Sequence, residues 1–265
     1  MQPHVDWHRL GDDRWLGIEH YPARGRRALC IVHGFRAWHR WGFLPLVAQW
    51  FAERGTAAYV LALPSSGYGP DGFSAGRFEQ ATITGDRAAL RLAVEAVRAD
   101  STCVAGLGHS RGGLLLLLEH AAFDCIALWA PPAQFGRWSE RQRTQWCRDG
   151  VLPVGAHPEL GIPLHLGVTY LEDLERHRYN DALEDALATC RTPVAIITGA
   201  EDLVAPPADA KQLASKLQQC DRQEHIICAT GHTFGIEHPA SRRSPALEEA
   251  LERTSTFFDA VCTAS

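Results

Sequence analysis

Short apolar runs recur along the chain: "ALCIVHGF" (28–35), "AAYVLALP" (57–64), "TCVAGLGHS" (102–110), "CIALWAP" (125–131), "PVAIITGAED" (193–202) and "HIICATGH" (225–232). They are continuous rather than alternating, as expected of strands covered on both faces of a parallel sheet. Helical periodicity fills the gaps at 43–54, 79–99 and 208–219. In the second, Ile83, Leu90, Val94 and Val97 fall on one face, with Arg87, Arg91, Glu95 and Arg98 largely elsewhere. Strand alternating with helix predicts an α/β fold, a mostly parallel central sheet flanked by helices.

Two segments depart from this rhythm. Trp7 to Tyr21 contains the turn-like cluster "LGDDRW" and reads as an initial antiparallel hairpin. Between the strand ending near Pro131 and the strand starting near Pro193 lie about sixty residues, where a crossover helix needs only about a dozen. The reading is a core of residues 1–132 and 192–265 with an inserted cap or lid subdomain at 133–191. Ser139 with Gln142, and Thr169 with Glu172, have capping-box spacing. The stretch "VLPVGAHPELGIPLHLG" between them is too rich in Pro and Gly to be helical.

At 265 residues the chain can bury one large core. A formal net charge of -5 gives no reason to expect nucleic acid or an anionic membrane as partner. A small molecule is the expected partner, and the chain is expected to be a monomer or homodimer. The start, "MQPHVDWHRLGDDRW", lacks a basic segment followed by an apolar one, and no apolar run approaches a bilayer's thickness, so the expected location is cytoplasmic. The 8 cysteines form no C-x-x-C pair. Cys30, Cys103, Cys125 and Cys228 lie in strand-like runs and read as buried free thiols, which suits a reducing compartment. No metal site is expected.

The chemistry concentrates in "GLGHSRGG" (106–113). Arg111 stands where a dinucleotide-binding turn needs its third glycine, and no Gly-Lys-Ser/Thr ending marks a phosphate loop. Gly108-His109-Ser110-Arg111-Gly112 instead satisfies G-x-S-x-G, between a predicted strand and the apolar helix "LLLLLEH". That context raises Ser110 as a nucleophile on a strained turn. A serine needs a base, and the base needs an orienting acid. "ATGHTF" puts His232 past the last strand, and "TGAEDLV" puts Asp202 past the one before, in the chain order Ser, Asp, His. Backbone N–H donors for an oxyanion are expected from Arg111 and, after "ALCIV", from Phe35 in "HGF".

Together "HGF", "GHSRGG", "GAEDLV" and "GHTF" resemble the α/β-hydrolase fold superfamily, in its serine esterase and S9/S33 peptidase-like branches. The resemblance covers nearly the whole chain and is weakest over the insertion. It implies an α/β-hydrolase fold and a serine hydrolase that cleaves a carboxylic ester or thioester through an acyl-serine intermediate, with no cofactor. The same triad would serve an acyl-CoA thioesterase, an acyltransferase or an S9/S33-like peptidase, and a non-catalytic ligand-binding hydrolase fold is the rival from another class. "SSGYGPDG" (65–72) matches no motif of the family.

Each assignment has a plainer competitor. Ser110 is also placed to cap the following helix. Glu201 competes with Asp202 as the acid. His225 and His238 read as structural, and His33 and His109 as hydrogen-bonding neighbours of the site that also join the candidate substrate-binding set with Trp38. The aromatics of "FRAWHRWGF", with Trp138 and Trp146, serve either a pocket or a core. Arg36, Arg40 and Arg111 read as solvated surface groups or as receptors for a substrate anion, and Asp86 and Asp124 as surface or helix-end groups.

Overall fold

The computed structural model describes residues 4–11 and 13–262. Strands β1 (His4–Gly11) and β2 (Arg14–Tyr21) pair as the expected antiparallel hairpin; Asp12 lies outside the described residues. They are followed by β3 (Arg27–Val32), β4 (Thr56–Ala62), β5 (Cys103–His109), β6 (Cys125–Trp129), β7 (Val194–Gly199) and β8 (Arg222–Ile227). The sheet order is β1-β2-β4-β3-β5-β6-β7-β8. From β4 to β8 every neighbouring pair is parallel, while β2 runs antiparallel to β4.

The central strands β5, β6 and β7 are buried along their whole length, which is why their sequences are continuously apolar. One face of the sheet packs against helices α2 (Ile83–Arg98) and α3 (Arg111–Leu118), the other against α1 (Leu44–Glu53) and α8 (Pro245–Cys262). In α2 the residues Ile83, Leu90, Val94 and Val97 are all buried, as their spacing predicts. The helical pattern of 79–99 is broken, however. Thr82 is extended, its hydroxyl accepts the Gly85 N–H at 3.0 Å, and the residues before it form a separate turn of helix, Ala75–Glu79.

The edge strand β8 begins three residues before its apolar run. It pairs in register with β7, Val194 opposite Arg222 through Gly199 opposite Ile227, and its edge position leaves polar side chains in water. Cys228 falls beyond the strand and is exposed, not buried as expected.

Between β6 and β7 the chain forms α4 (Glu140–Asp149), a hairpin of Val151–Ala156 with Pro163–Gly167, α5 (Val168–Arg176) and α6 (Tyr179–Thr189). The Ser139–Gln142 capping box is formed. The Thr169–Glu172 box is not: α5 starts after Gly167, so Thr169 already lies inside its first turn. Trp146, Leu166, Tyr170, Leu174, Leu183 and Leu187 of this segment are buried in the same cluster as α2 and α3. A further helix, α7 (Pro207–Lys216), follows β7.

Cys103, at the start of β5, is joined by a disulfide to Cys262 at the end of α8, across 159 positions of sequence. It is not the free thiol expected, so cysteine usage no longer argues for a reducing compartment. Cys30 and Cys125 are buried free thiols. Among the described residues no helix is long and apolar enough to cross a membrane.

With 6 of the 8 cysteines free, alkylation of the denatured but unreduced protein should add six labels by intact mass, and eight after reduction. Eight labels before reduction would mean that the Cys103–Cys262 bond is absent.

Candidate active site

Strand β5 ends at His109, and the next residue turns sharply. Ser110 has φ 54 and ψ -125, a conformation that costs a non-glycine residue about 1–3 kcal/mol. The flanking glycines permit it. A Cβ on Gly108 would lie 2.6 Å from the Gly112 carbonyl, and one on Gly112 only 2.4 Å from the Val32 carbonyl of β3. The Ser110 N–H is anchored at 2.7 Å to the Trp129 carbonyl on β6. Its hydroxyl makes no capping bond to α3, which removes the helix-cap reading.

Asp202 lies in the turn after β7, and its side chain is fully buried. Its Oδ1 accepts the N–H groups of Val204 and Ala205, both at 2.8 Å, and its Oδ2 faces His232 Nδ1 at 2.8 Å. Burial alone would raise its pKa, but the bonds from His232, Ala205 and Val204 outweigh it and hold the carboxyl below its usual value. Because a carboxylate can only accept, Nδ1 of His232 is the donor in this contact. Glu201, the competing acid, is exposed. The His232 loop is tied to the turn at Ser110 by His109, whose buried Nε2–H donates to the His232 carbonyl at 3.0 Å.

The turn after β3 borders the same place. A Cβ on Gly34 would stand 3.1 Å from the Ser110 Cβ. His33 is buried and fixes this turn with both ring nitrogens: Nδ1–H donates to the Gly34 carbonyl at 2.9 Å, and Nε2 accepts the Leu63 N–H at 3.2 Å. Among the described residues neither the Phe35 nor the Arg111 N–H is used in another hydrogen bond. Phe35 follows Gly34 and Arg111 follows Ser110 in the chain.

Trp38 is buried rather than open, stacked on Tyr68 and His157 and edge-on to His238. His157 comes from the hairpin segment between β6 and β7 and meets the Tyr68 hydroxyl at 3.0 Å. The motif-free stretch "SSGYGPDG" therefore has a structural role: Tyr68 carries this contact, and Ser65 bonds Asp86 and Arg111. His238 accepts the Gly42 N–H on Nδ1 and meets Glu159 through Nε2, both structural contacts. Trp146 is core, donating its indole N–H to the Leu166 carbonyl, while Trp138 is only half-buried.

The charged residues differ most from expectation. Arg111 is buried and pairs with Asp86 at 2.7 Å, and Asp86 is completely buried in the first turn of α2. Arg111 is not a surface group, and of the two readings of Asp86 the helix-end one holds while the surface one does not. Arg40 pairs with the buried Glu19 at 2.7 Å, whereas Arg36 is exposed. Asp124, half-exposed, bonds the Val104 N–H and Arg98. No group of three or more metal-ligating side chains occurs among the described residues.

Three solved structures share this architecture over almost their whole length. DcsB in complex with a substrate analogue is 16% identical with a TM-score of 0.79, covering 98% of this chain and 99% of that one. A soluble variant of monoglyceride lipase from Saccharomyces cerevisiae, also with a substrate analogue, is 11% identical with a TM-score of 0.76, covering 98% and 97%. The alpha/beta hydrolase GrgF from Penicillium sp. sh18 is 17% identical with a TM-score of 0.75, covering 99% and 100%. The chain has the α/β-hydrolase fold. No family model and no curated protein matches its sequence. In this hydrolase fold the strand–turn–helix at Ser110, the Asp202 turn and the His232 loop all lie at the carboxyl end of the parallel strands, where open sheets carry their ligands.

Three histidines of this region make its stability pH-dependent. Burial pushes His33 down to about 4 and His39 and His109 down to about 3. Their folded pKa values lie below that of free imidazole, about 6.5, so between these limits the unfolded chain binds more protons. Stability is complete above pH 6.5 and falls as pH drops toward 4. Each histidine should cost about 2 kcal/mol between pH 7 and pH 5, visible as a lower urea midpoint; equal midpoints at the two pH values would contradict the assignment.

Proposed function

We propose that this protein is a serine hydrolase that cleaves a carboxylic ester or thioester of a small molecule, with Ser110 as nucleophile, His232 as base and Asp202 as the orienting acid. The observation that supports this reading is the Asp202–His232 contact at 2.8 Å, in a chain that also holds Ser110 at φ 54 on a strand–turn–helix. In the first step the lone pair on His232 Nε2 takes the Ser110 proton as Oγ attacks the carbonyl carbon. The Phe35 and Arg111 N–H groups hold the oxygen that becomes negative, each contributing roughly 3 kcal/mol. His232 then protonates the leaving alcohol or thiol, and water, deprotonated by the same nitrogen, releases the acyl group. No cofactor takes part.

The segment 133–191 is read as a cap over this end of the sheet. Half-buried Phe35, Trp138, Leu152, Val154 and Val168 pack against one cluster, and Leu203 and Val204 stand exposed beside Asp202. Arg40 and Arg111 are already engaged by Glu19 and Asp86. These apolar side chains favour a neutral, apolar acyl group over an anionic one, with Arg36 exposed and engaged by neither carboxylate. The presence of a monoglyceride lipase among the similar folds agrees with ester cleavage.

A fluorophosphonate should add one label to the wild type, mapped to Ser110, and none to Ser110→Ala, which should lose about 10⁶-fold in kcat on an activated ester while melting normally. Asp202→Asn should keep the label site and lose about 10⁴-fold, because the histidine tautomer is no longer fixed. Hydrolysis retained by Ser110→Ala would overturn the reading.

A further inference from the structure

The two N–H groups that the proposed mechanism aims at one oxygen belong to different turns, Phe35 after β3 and Arg111 after β5. Each must sit about 2.7–3.1 Å from that oxygen, so their separation has to be fixed closely. A chain of hydrogen bonds joins the turns by way of the exit of β4. The ring of His33 links the Gly34 carbonyl to the Leu63 N–H. Two residues further on, the Ser65 N–H donates to Asp86 Oδ1 at 3.0 Å. The Ser65 hydroxyl accepts from Arg111 Nη2 at 2.5 Å, and the same Nη2 donates to Asp86 Oδ2 at 2.7 Å. Ser65 therefore grips both members of the ion pair.

The pair is a poor device for stability. Charges taken out of water recover little net energy from one another, and an apolar pair of the same volume is often as stable or more so. Here the arrangement is incomplete as well: Nε and Nη1 of Arg111 are buried and make no hydrogen bond of ordinary geometry, although the Tyr170 hydroxyl of α5 lies close enough to interact with the guanidinium. Unpaired buried donors are costly, and such costs are tolerated chiefly where function requires the geometry.

We propose that Asp86 and Ser65 are positioning residues: by clamping the Arg111 side chain they hold the Arg111 N–H in register with the Phe35 N–H across the reacting oxygen. This inference rests on the serine-hydrolase reading. It assigns no contact with substrate to either residue.

Removing the Asp86 charge alone would strand a buried guanidinium and risks unfolding the chain. The test therefore uses the double variant Asp86→Leu with Arg111→Met, which retains the Arg111 backbone donor, and separately Ser65→Ala, which leaves the charges paired. Both are assayed with p-nitrophenyl acetate and with a fluorophosphonate, beside thermal melts. The expected result is a double variant that folds, with kcat lowered about 100-fold, KM within about twofold, and labelling slowed in proportion to kcat. Ser65→Ala should lose about three- to tenfold in kcat with the same split.

A folded double variant with wild-type kcat and labelling rate would overturn the proposal, as would a change confined to KM. Should the double variant fail to fold, Ser65→Ala decides: unchanged kcat and labelling overturn the proposal, a fall in both supports it. A wild-type protein that neither labels nor turns over means that the serine-hydrolase reading itself has failed and the positioning role falls with it.

Discussion

At the start of α3 the main chain comes so close to the end of β3 that no side chain fits between them. A Cβ on Gly112 would stand 2.4 Å from the Val32 carbonyl and 2.7 Å from that of His33. This approach forces the turn between β5 and α3 into its sharp form and puts Ser110 into a backbone conformation that L residues avoid. It also sets the turn after β3 beside the serine. The strain is local, whereas the strands that bear it are buried in two apolar clusters, one on each face of the sheet. The rigidity of β3, β5 and β6 is what allows a single residue to be held out of its preferred geometry.

Much of this was legible in the sequence. Strands that are buried on both faces must be apolar throughout, so β3, β5, β6 and β7 announce themselves; the turns after β3, β5 and β7 carry Phe35, Ser110 and Asp202, and the loop after β8 carries His232. The edge strand β8 is covered on one side only, so its apolar run marks where cover begins and not where pairing does. The break before α2 depends on whether Thr82 caps or continues a helix, and periodicity alone does not distinguish the two.

Long-range partners were the least legible. Cys103 sits in an apolar run that looks like any buried strand, and only the return of α8 brings Cys262 to it. Asp86 and Arg111 are charged residues whose composition argues for the surface. Their burial follows from a partner 25 positions away, and the one local hint was that Asp86 lies three residues from Ile83, on the face that α2 turns inward. Ser65 had no motif to announce it. Its role exists only because β4 leaves the sheet beside the turn that carries Arg111.

The segment between β6 and β7 has no core of its own. Trp146, Leu166, Tyr170, Leu174, Leu183 and Leu187 are buried in the cluster that also holds α2 and α3. Each such side chain costs about 1.5–3 kcal/mol to return to water, so swinging the whole segment outward would consume a free energy comparable to that of unfolding an ordinary domain, about 5–15 kcal/mol.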